Sequence, residues 1–143
     1  MKQKSLINWL VIDSILIMVV GLYMAFLKDS PLFVFKPLVD PYFWPDGIVS
    51  DLGTATFRSF IYSLCGVVML VWGIIMFYVV KNAVAKLEAW AVNALIVSTC
   101  VWFPIDEFFS VQCGVWVNAI FNIPFFLILI IPLVLLEIQI KKK

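Results

Sequence analysis

The sequence predicts an all-α fold, an integral membrane four-helix bundle with antiparallel up-down helices and a long outer loop between the first and second helices. Hydrophobic residues make up 64% of the 143 residues and charged residues 13%, whereas soluble domains average roughly 45–50% apolar and about 25% charged residues. A small chain cannot bury that much apolar surface in water, because its surface-to-volume ratio is high. The composition therefore predicts a chain that lies in a lipid bilayer.

Four apolar segments have the length of a membrane span, which is about 20 residues for a hydrocarbon core of about 30 Å. They cover residues 6–27, 59–80, 89–109 and 115–136, and we assign the whole chain, 1–143, to a single transmembrane domain. The spans are helices, because backbone groups in lipid must be hydrogen-bonded within their own segment. Short links after the second and third spans make the helices they join antiparallel neighbours.

The outer loop, residues 28–58, is too apolar to be a solvated linker. We expect it to fold back on the helix ends or to lie in the headgroup layer, where Tyr and Trp are enriched. Either Ser50 or Asp51 can cap the helix that follows. The loop carries four prolines and five aromatic residues, namely Pro31, Pro37, Pro41 and Pro45, and Phe33, Phe35, Tyr42, Phe43 and Trp44.

The positions of lysine and arginine predict the orientation, because basic residues are enriched on the cytoplasmic side. With both termini in the cytoplasm, seven basic residues lie inside and three lie outside. The predicted topology is therefore N-in and C-in, in the plasma membrane of a bacterium or an archaeon. The inner residues are Lys2, Lys4, Lys81, Lys86 and Lys141–Lys143, and the outer residues are Lys28, Lys36 and Arg58.

The residue inventory argues against several kinds of chemistry. The chain has no histidine, which is the commonest acid–base group near neutral pH and the commonest metal ligand. Its three cysteines, Cys65, Cys100 and Cys113, form no CxxC pair of the kind that serves thiol–disulfide exchange. We predict no metal site, no catalytic residue and no cofactor. A quinone or a lipid remains an alternative as a bound ligand. A net charge of +1 gives no reason to expect a nucleic-acid partner.

Asp13 is the clearest ionisable residue inside a predicted span. It lies seven residues into the first span, about 10 Å deep at a rise of 1.5 Å per residue. An Asp at the centre of a membrane helix costs about 2.5–3.5 kcal/mol. Asp13 is therefore a proton or cation site, or a neutral, protonated carboxyl group, or a carboxyl group that hydrogen-bonds to Asn8 or to a neighbouring helix.

A polar cluster is predicted where the outer ends of the second, third and fourth spans meet. Antiparallel packing brings these helix ends together, so we expect the arginine of the cluster to pair with one of its two carboxylates. The cluster is either structural or a small-molecule or cation site between helices, with the outer loop as its lid. Its members are Arg58, Tyr62, Asp106, Glu107, Asn118 and Asn122.

Two helix faces are predicted to pack against other helices. Small residues share one face of the second span and permit close approach of a neighbouring helix. A polar stripe in the third span recurs every seven residues, a spacing that keeps it against a partner helix. The small residues are Ser59, Ser63, Gly66 and Gly73, and the stripe is Asn93, Cys100 and Glu107 with Thr99 and Asp106 beside it.

The order of elements resembles the DoxX-like group of small four-helix membrane proteins. The similarity covers the layout of almost the whole chain and the end of the third span, Trp102-Phe103-Pro104-Ile105-Asp106-Glu107, before a short link to Gly114 and Asn118. The resemblance implies four membrane helices and a link to redox partners, to quinone or thiosulfate oxidation, or to stress responses. It implies no role for any individual residue of this chain.

Three functions remain open from the sequence. The first is a non-enzymatic accessory subunit of a membrane complex, or a protein that binds a lipid-like or small ligand at the outer cluster. The second is a DoxX-like redox or quinone-linked enzyme subunit that would use Asp106, Glu107 and Tyr62. The third is an oligomeric transporter or channel protomer with Asp13 as its cation site. Beyond the lipid bilayer, the expected partner is another membrane protein or a second copy of the chain.

Overall fold

The computed structural model describes residues 2–45 and 51–142, and these residues form helices and short connections with no strand among them. Five α-helices follow one another: α1 (Gln3–Leu27), α2 (Phe35–Val39), α3 (Leu52–Asn82), α4 (Ala89–Gln112) and α5 (Trp116–Lys141). Short 3-10 helices cover Asp40–Tyr42 and Val84–Lys86. The all-helical prediction is confirmed, and α1, α3, α4 and α5 are the four predicted spans.

The helix of the second predicted span starts earlier than the sequence predicts. The prediction puts its first residue at 59, whereas α3 starts at Leu52 and runs for 31 residues, about 46 Å at 1.5 Å per residue. The Oδ1 atom of Asp51 accepts a hydrogen bond of 2.7 Å from the backbone N–H of Thr54, which satisfies a donor that the first turn of a helix leaves free. The cap predicted at Asp51 is confirmed, and Ser50 lies outside the described residues.

The chain divides into two compact units, residues 17–73 and residues 1–16 with 74–143. In the first unit, α1 and α3 cross at Gly21 and Gly66. A Cβ atom placed on Gly66 would lie 2.5 Å from the backbone nitrogen of Ala25 and 2.6 Å from the carbonyl oxygen of Gly21. Only a residue without a side chain allows two helix backbones to come this close. The predicted small-residue face is confirmed at Gly66, and Gly21 is its partner.

The predicted outer loop folds onto the helix ends in this same unit. The Phe33 ring is 2% exposed, and its centroid lies 5.4 Å from that of Tyr23 and 5.0 Å from that of Tyr62. The Tyr23 hydroxyl donates to the carbonyl oxygen of Leu32 and accepts from the N–H of Val34, both at 2.7 Å. These contacts fix the segment between α1 and α2. The expectation that the loop folds back on the helix ends therefore holds for this segment.

The second unit contains a helical hairpin made of α4 and α5. The helices are joined by Cys113–Val115, and Gly114 has a φ of 73°, the left-handed region that favours glycine. The rings of Phe103 and Phe126 stack with centroids 4.3 Å apart. Three buried leucines, Leu129, Leu133 and Leu136, lie on α5 in this unit. The predicted antiparallel pairing of the last two spans is thus observed.

The face that α4 buries differs from the predicted polar stripe. Asn93 and Cys100 are exposed, whereas Val92, Leu95 and Thr99 are buried. Val92 and Leu95 lie on the same side of the helix as Thr99, so burial of the larger apolar side chains turns that side inward. The prediction that the stripe of Asn93 and Cys100 faces inward was therefore wrong.

Candidate functional site

Asp40 is the centre of a buried polar contact in the unit of residues 17–73. Its Oδ2 atom accepts from Nη1 of Arg58 at 2.8 Å, and its Oδ1 atom accepts from the Tyr62 hydroxyl at 2.8 Å. The side chains of Arg58 and Asp40 are only 14% and 10% exposed, and the Trp44 ring lies 5.9 Å from the guanidinium carbon. Both oxygens of the carboxylate are therefore occupied, so the contact fastens the loop to α3.

The sequence assigned Asp106 or Glu107 as the partner of Arg58, and the structure assigns Asp40 instead. Asp40 stands 18 residues before Arg58, at the start of a three-residue 3-10 helix that follows the five-residue α2, and helices this short leave no periodicity in the sequence that predicts their partners. A signal was available in the loop, because an acidic residue among apolar ones needs a buried partner. The sequence alone does not say which basic residue supplies it.

A second link joins the end of α1 to α3. The hydroxyl of Ser59 donates to Oδ1 of Asp29 at 2.7 Å. The hydroxyl of Ser63 donates within its own helix to the carbonyl oxygen of Ser59 at 3.0 Å and lies 3.5 Å from that of Ala25. The hydrogen bond from Ser59, assisted by the charge of Lys28, holds the pKa of the exposed Asp29 below its usual range. One of the predicted small residues, Ser59, therefore also acts as a hydrogen-bond donor from α3 to the segment that follows α1.

A polar network connects α4 and α5 near their shared link. Nδ2 of Asn118 donates to Oδ1 of Asp106 at 2.9 Å and to the hydroxyl oxygen of Ser110 at 2.8 Å. The Trp102 indole N–H donates to Oδ2 of Asp106 at 3.0 Å, and the Ser110 hydroxyl donates to its Oδ1 at 3.2 Å. Asp106 is thus held by three side chains, two of them on its own helix.

Two polar atoms beside this network have no hydrogen-bond partner. They are Oε1 of Glu107 and Nδ2 of Asn122, and both are buried. Asn122 lies on α5 one turn after Asn118 and one turn before Phe126. Asn118 meets Asp106 and Phe126 stacks on Phe103, so Asn122 lies between these two contacts along α5, and Glu107 follows Asp106 on α4. A buried acceptor and a buried donor without partners therefore stand on the two facing helices of the hairpin.

The six predicted residues are divided between the two compact units. Arg58 and Tyr62 belong to the unit of residues 17–73, and Asp106, Glu107, Asn118 and Asn122 belong to the other. The hydrogen bond between Asn118 and Asp106 agrees with the prediction that the amides of α5 face a neighbouring helix. Glu107 and Asn122 are the members with a buried side-chain atom that has no hydrogen-bond partner.

Asp13 is buried, as expected for an ionisable residue inside a span. It is 4% exposed, and its Oδ2 atom has no hydrogen-bond partner. Asn8, which was the suggested partner, is exposed. The neighbouring Ser14 hydroxyl donates to the carbonyl oxygen of Val11 at 2.7 Å instead. Asp13 therefore has capacity for a proton or a further donor.

Within residues 2–45 and 51–142, no group of three or more His, Cys, Asp or Glu side chains could hold a metal ion. Four helices, α1, α3, α4 and α5, are long and apolar enough to cross a membrane. The chain is thus an all-helical protein compatible with a small membrane protein. No protein-family model, no curated protein and no solved structure matches it.

Proposed function

We propose that this chain is a multi-pass membrane protein that binds a small amphiphilic ligand at the hairpin of α4 and α5. The lysine and arginine distribution favours a topology with both termini in the cytoplasm, in which the link between α4 and α5 faces outward. The observation that carries the proposal is the pair of buried atoms without partners, Oε1 of Glu107 and Nδ2 of Asn122. A buried polar group left unsatisfied costs about 1–3 kcal/mol, which a bound ligand would recover.

The depth of the two residues fits a ligand from the outer leaflet. Glu107 lies five residues before the end of α4 and Asn122 six residues after the start of α5, about 8–9 Å along each helix. Helices of this length extend only a few Å beyond a hydrocarbon core of about 30 Å, so both residues lie just inside the outer edge of that core. Both residues are half-buried, whereas Oε1 and Nδ2 themselves are covered, so a ligand that contacts these two atoms must displace the groups that cover them.

The predicted topology is tested by labelling Cys113, an exposed cysteine in the outward link. A membrane-impermeant maleimide should label it in intact cells, because the thiol lies in water at the outer surface. Cys65 and Cys100 lie inside α3 and α4, where lipid keeps the reagent away. A Cys113→Ser, Lys142→Cys variant should react only after permeabilisation. The reverse pattern would place both termini outside.

Ligand binding is tested by purification in a mild detergent followed by native mass spectrometry. We expect the wild-type protein to retain a small molecule, and Glu107→Gln and Asn122→Ala to retain less of it while unfolding at a similar denaturant concentration. Glu137→Gln is the matched control, because Glu137 lies at the opposite end of α5 and pairs with Lys141 at the surface. A wild-type protein without ligand, or equal retention in all variants, would contradict the proposal.

The accessory-subunit function is favoured by a different surface, the exposed face of α4. Only 17% of the most apolar stretch of α4 is buried, against 39% of that of α1. The exposed face of α4 carries Asn93 and Cys100. A polar amide on an exposed helix face in lipid is a common contact between membrane helices. The same purification detects such a partner as a protein, or a second copy of the chain, in fixed ratio.

A further inference from the structure

We propose that the ligand at Glu107 and Asn122 is an amphiphile whose headgroup carries N–H donors beside an oxygen acceptor, as in an aminophospholipid. This inference rests on the proposed function and names the class of its ligand. Oε1 of Glu107 needs a donor, and Nδ2 of Asn122 needs an acceptor. A primary ammonium group next to a phosphate offers both at adjacent positions.

The surrounding charges select among headgroups. Asp106, the neighbour of Glu107, accepts hydrogen bonds from Asn118, Trp102 and Ser110. All three donors are neutral, so the negative charge of Asp106 is not balanced by them. Two adjacent carboxylates therefore attract a cationic group and repel an anionic headgroup. A quinone offers only acceptors, so it would leave Glu107 without a donor.

The presence of N–H groups distinguishes this ligand from the commonest cationic alternative. Choline carries the same positive charge as ethanolamine, but its nitrogen has no hydrogen to donate. Hydrogen bonds to charged groups are worth more than those between neutral groups. A site built around Glu107 should therefore prefer ethanolamine to choline, and glycerol headgroups with a net negative charge should bind weakest.

The test uses delipidated full-length protein in detergent and short-chain phosphatidylethanolamine, phosphatidylcholine and phosphatidylglycerol with the same acyl chains. Occupancy is read by native mass spectrometry, and free phosphoethanolamine is titrated as a separate arm. We expect phosphatidylethanolamine to bind roughly tenfold tighter than phosphatidylcholine, the size of one charge-assisted hydrogen bond. Weaker binding of free phosphoethanolamine would identify a lipid, whereas equal binding would identify a water-soluble amine.

Two variants distinguish the choice of headgroup from the existence of the binding site. Glu107→Gln should remove the preference for ethanolamine over choline, and Asn122→Ala should weaken both lipids by a similar factor. If a lipid binds and Glu107→Gln weakens it, but choline binds as well as ethanolamine, the headgroup assignment is wrong while the site stands. If no lipid or amine binds, or if neither variant changes binding, both the site and its ligand class are overturned.

Discussion

Replacing Gly66 with alanine is expected to lower the free energy of unfolding by about 1–3 kcal/mol, the usual cost of inserting atoms into a packed core. The added Cβ would meet the backbone nitrogen of Ala25 and the carbonyl oxygen of Gly21 at 2.5 and 2.6 Å. Backbone atoms cannot rotate away, so α1 and α3 must separate along the crossing. The higher helix propensity of alanine, about 1 kcal/mol, offsets only part of this cost. A leucine at the same position should prevent assembly.

The measurement is reversible unfolding in mixed detergent followed by circular dichroism. Gly53→Ala is the matched control, because Gly53 also lies in α3 and its nearest obstacle is the Oδ1 atom of Asp51 at 3.1 Å. That carboxylate is a side chain and can shift, so the change should stay within about 1 kcal/mol of the wild type. Equal effects at Gly66 and Gly53 would show that the close crossing does not contribute to stability.

Replacing Asp40 with alanine is expected to be still more costly, about 3–5 kcal/mol, because it leaves a buried charge without its partner. Arg58 is 14% exposed, and the Tyr62 hydroxyl loses its acceptor in the same variant. Arg58→Ala should have a similar effect, since Asp40 then keeps its charge with only one donor. Unfolding in detergent measures both losses.

The double variant Asp40→Ala, Arg58→Ala should lose less free energy than the sum of the two single variants. No charge is left stranded when both partners are removed, and the difference measures their coupling. The surface pair of Lys141 and Glu137, with side chains 72% and 27% exposed, is the control, and its removal should cost no more than about 1 kcal/mol. Additive effects at Asp40 and Arg58 would mean that the buried pair does not stabilise the fold.

The helices could be predicted from the sequence because apolar length is a property of single segments. The end of α1 at residue 27 and the start of α4 at residue 89 agree with the prediction. The start of α3 is not visible as an apolar run, because its first two turns carry Gly53, Thr54, Thr56 and Arg58 among few apolar residues. The capping residue Asp51 is the local signal that marks this start.

The candidate site was harder to predict, because it depends on which side chains meet. The pairing of Asn118 with a neighbouring helix followed from its spacing to Asn122, a local pattern. The partner of Arg58 did not, since Asp40 opens a three-residue 3-10 helix, which is too short to show a periodicity that predicts its contacts. The partner of Gly66 on α1 is not predictable from the sequence either. Gly21 and Gly66 are 45 residues apart, and no pattern in the sequence indicates that they meet.

The unit of residues 17–73 is one continuous stretch of chain, whereas the other unit needs residues 1–16 together with residues 74–143. During synthesis from the N-terminus, every residue of the continuous unit is available before α4 exists. The glycine crossing and the contact between Asp40 and Arg58 can therefore form while the last two helices are still inside the ribosome. Once the end of α3 at Asn82 has left the ribosome, the emerged chain holds both partners of the glycine crossing and both partners of the contact between Asp40 and Arg58, so each can form before the helical hairpin is complete.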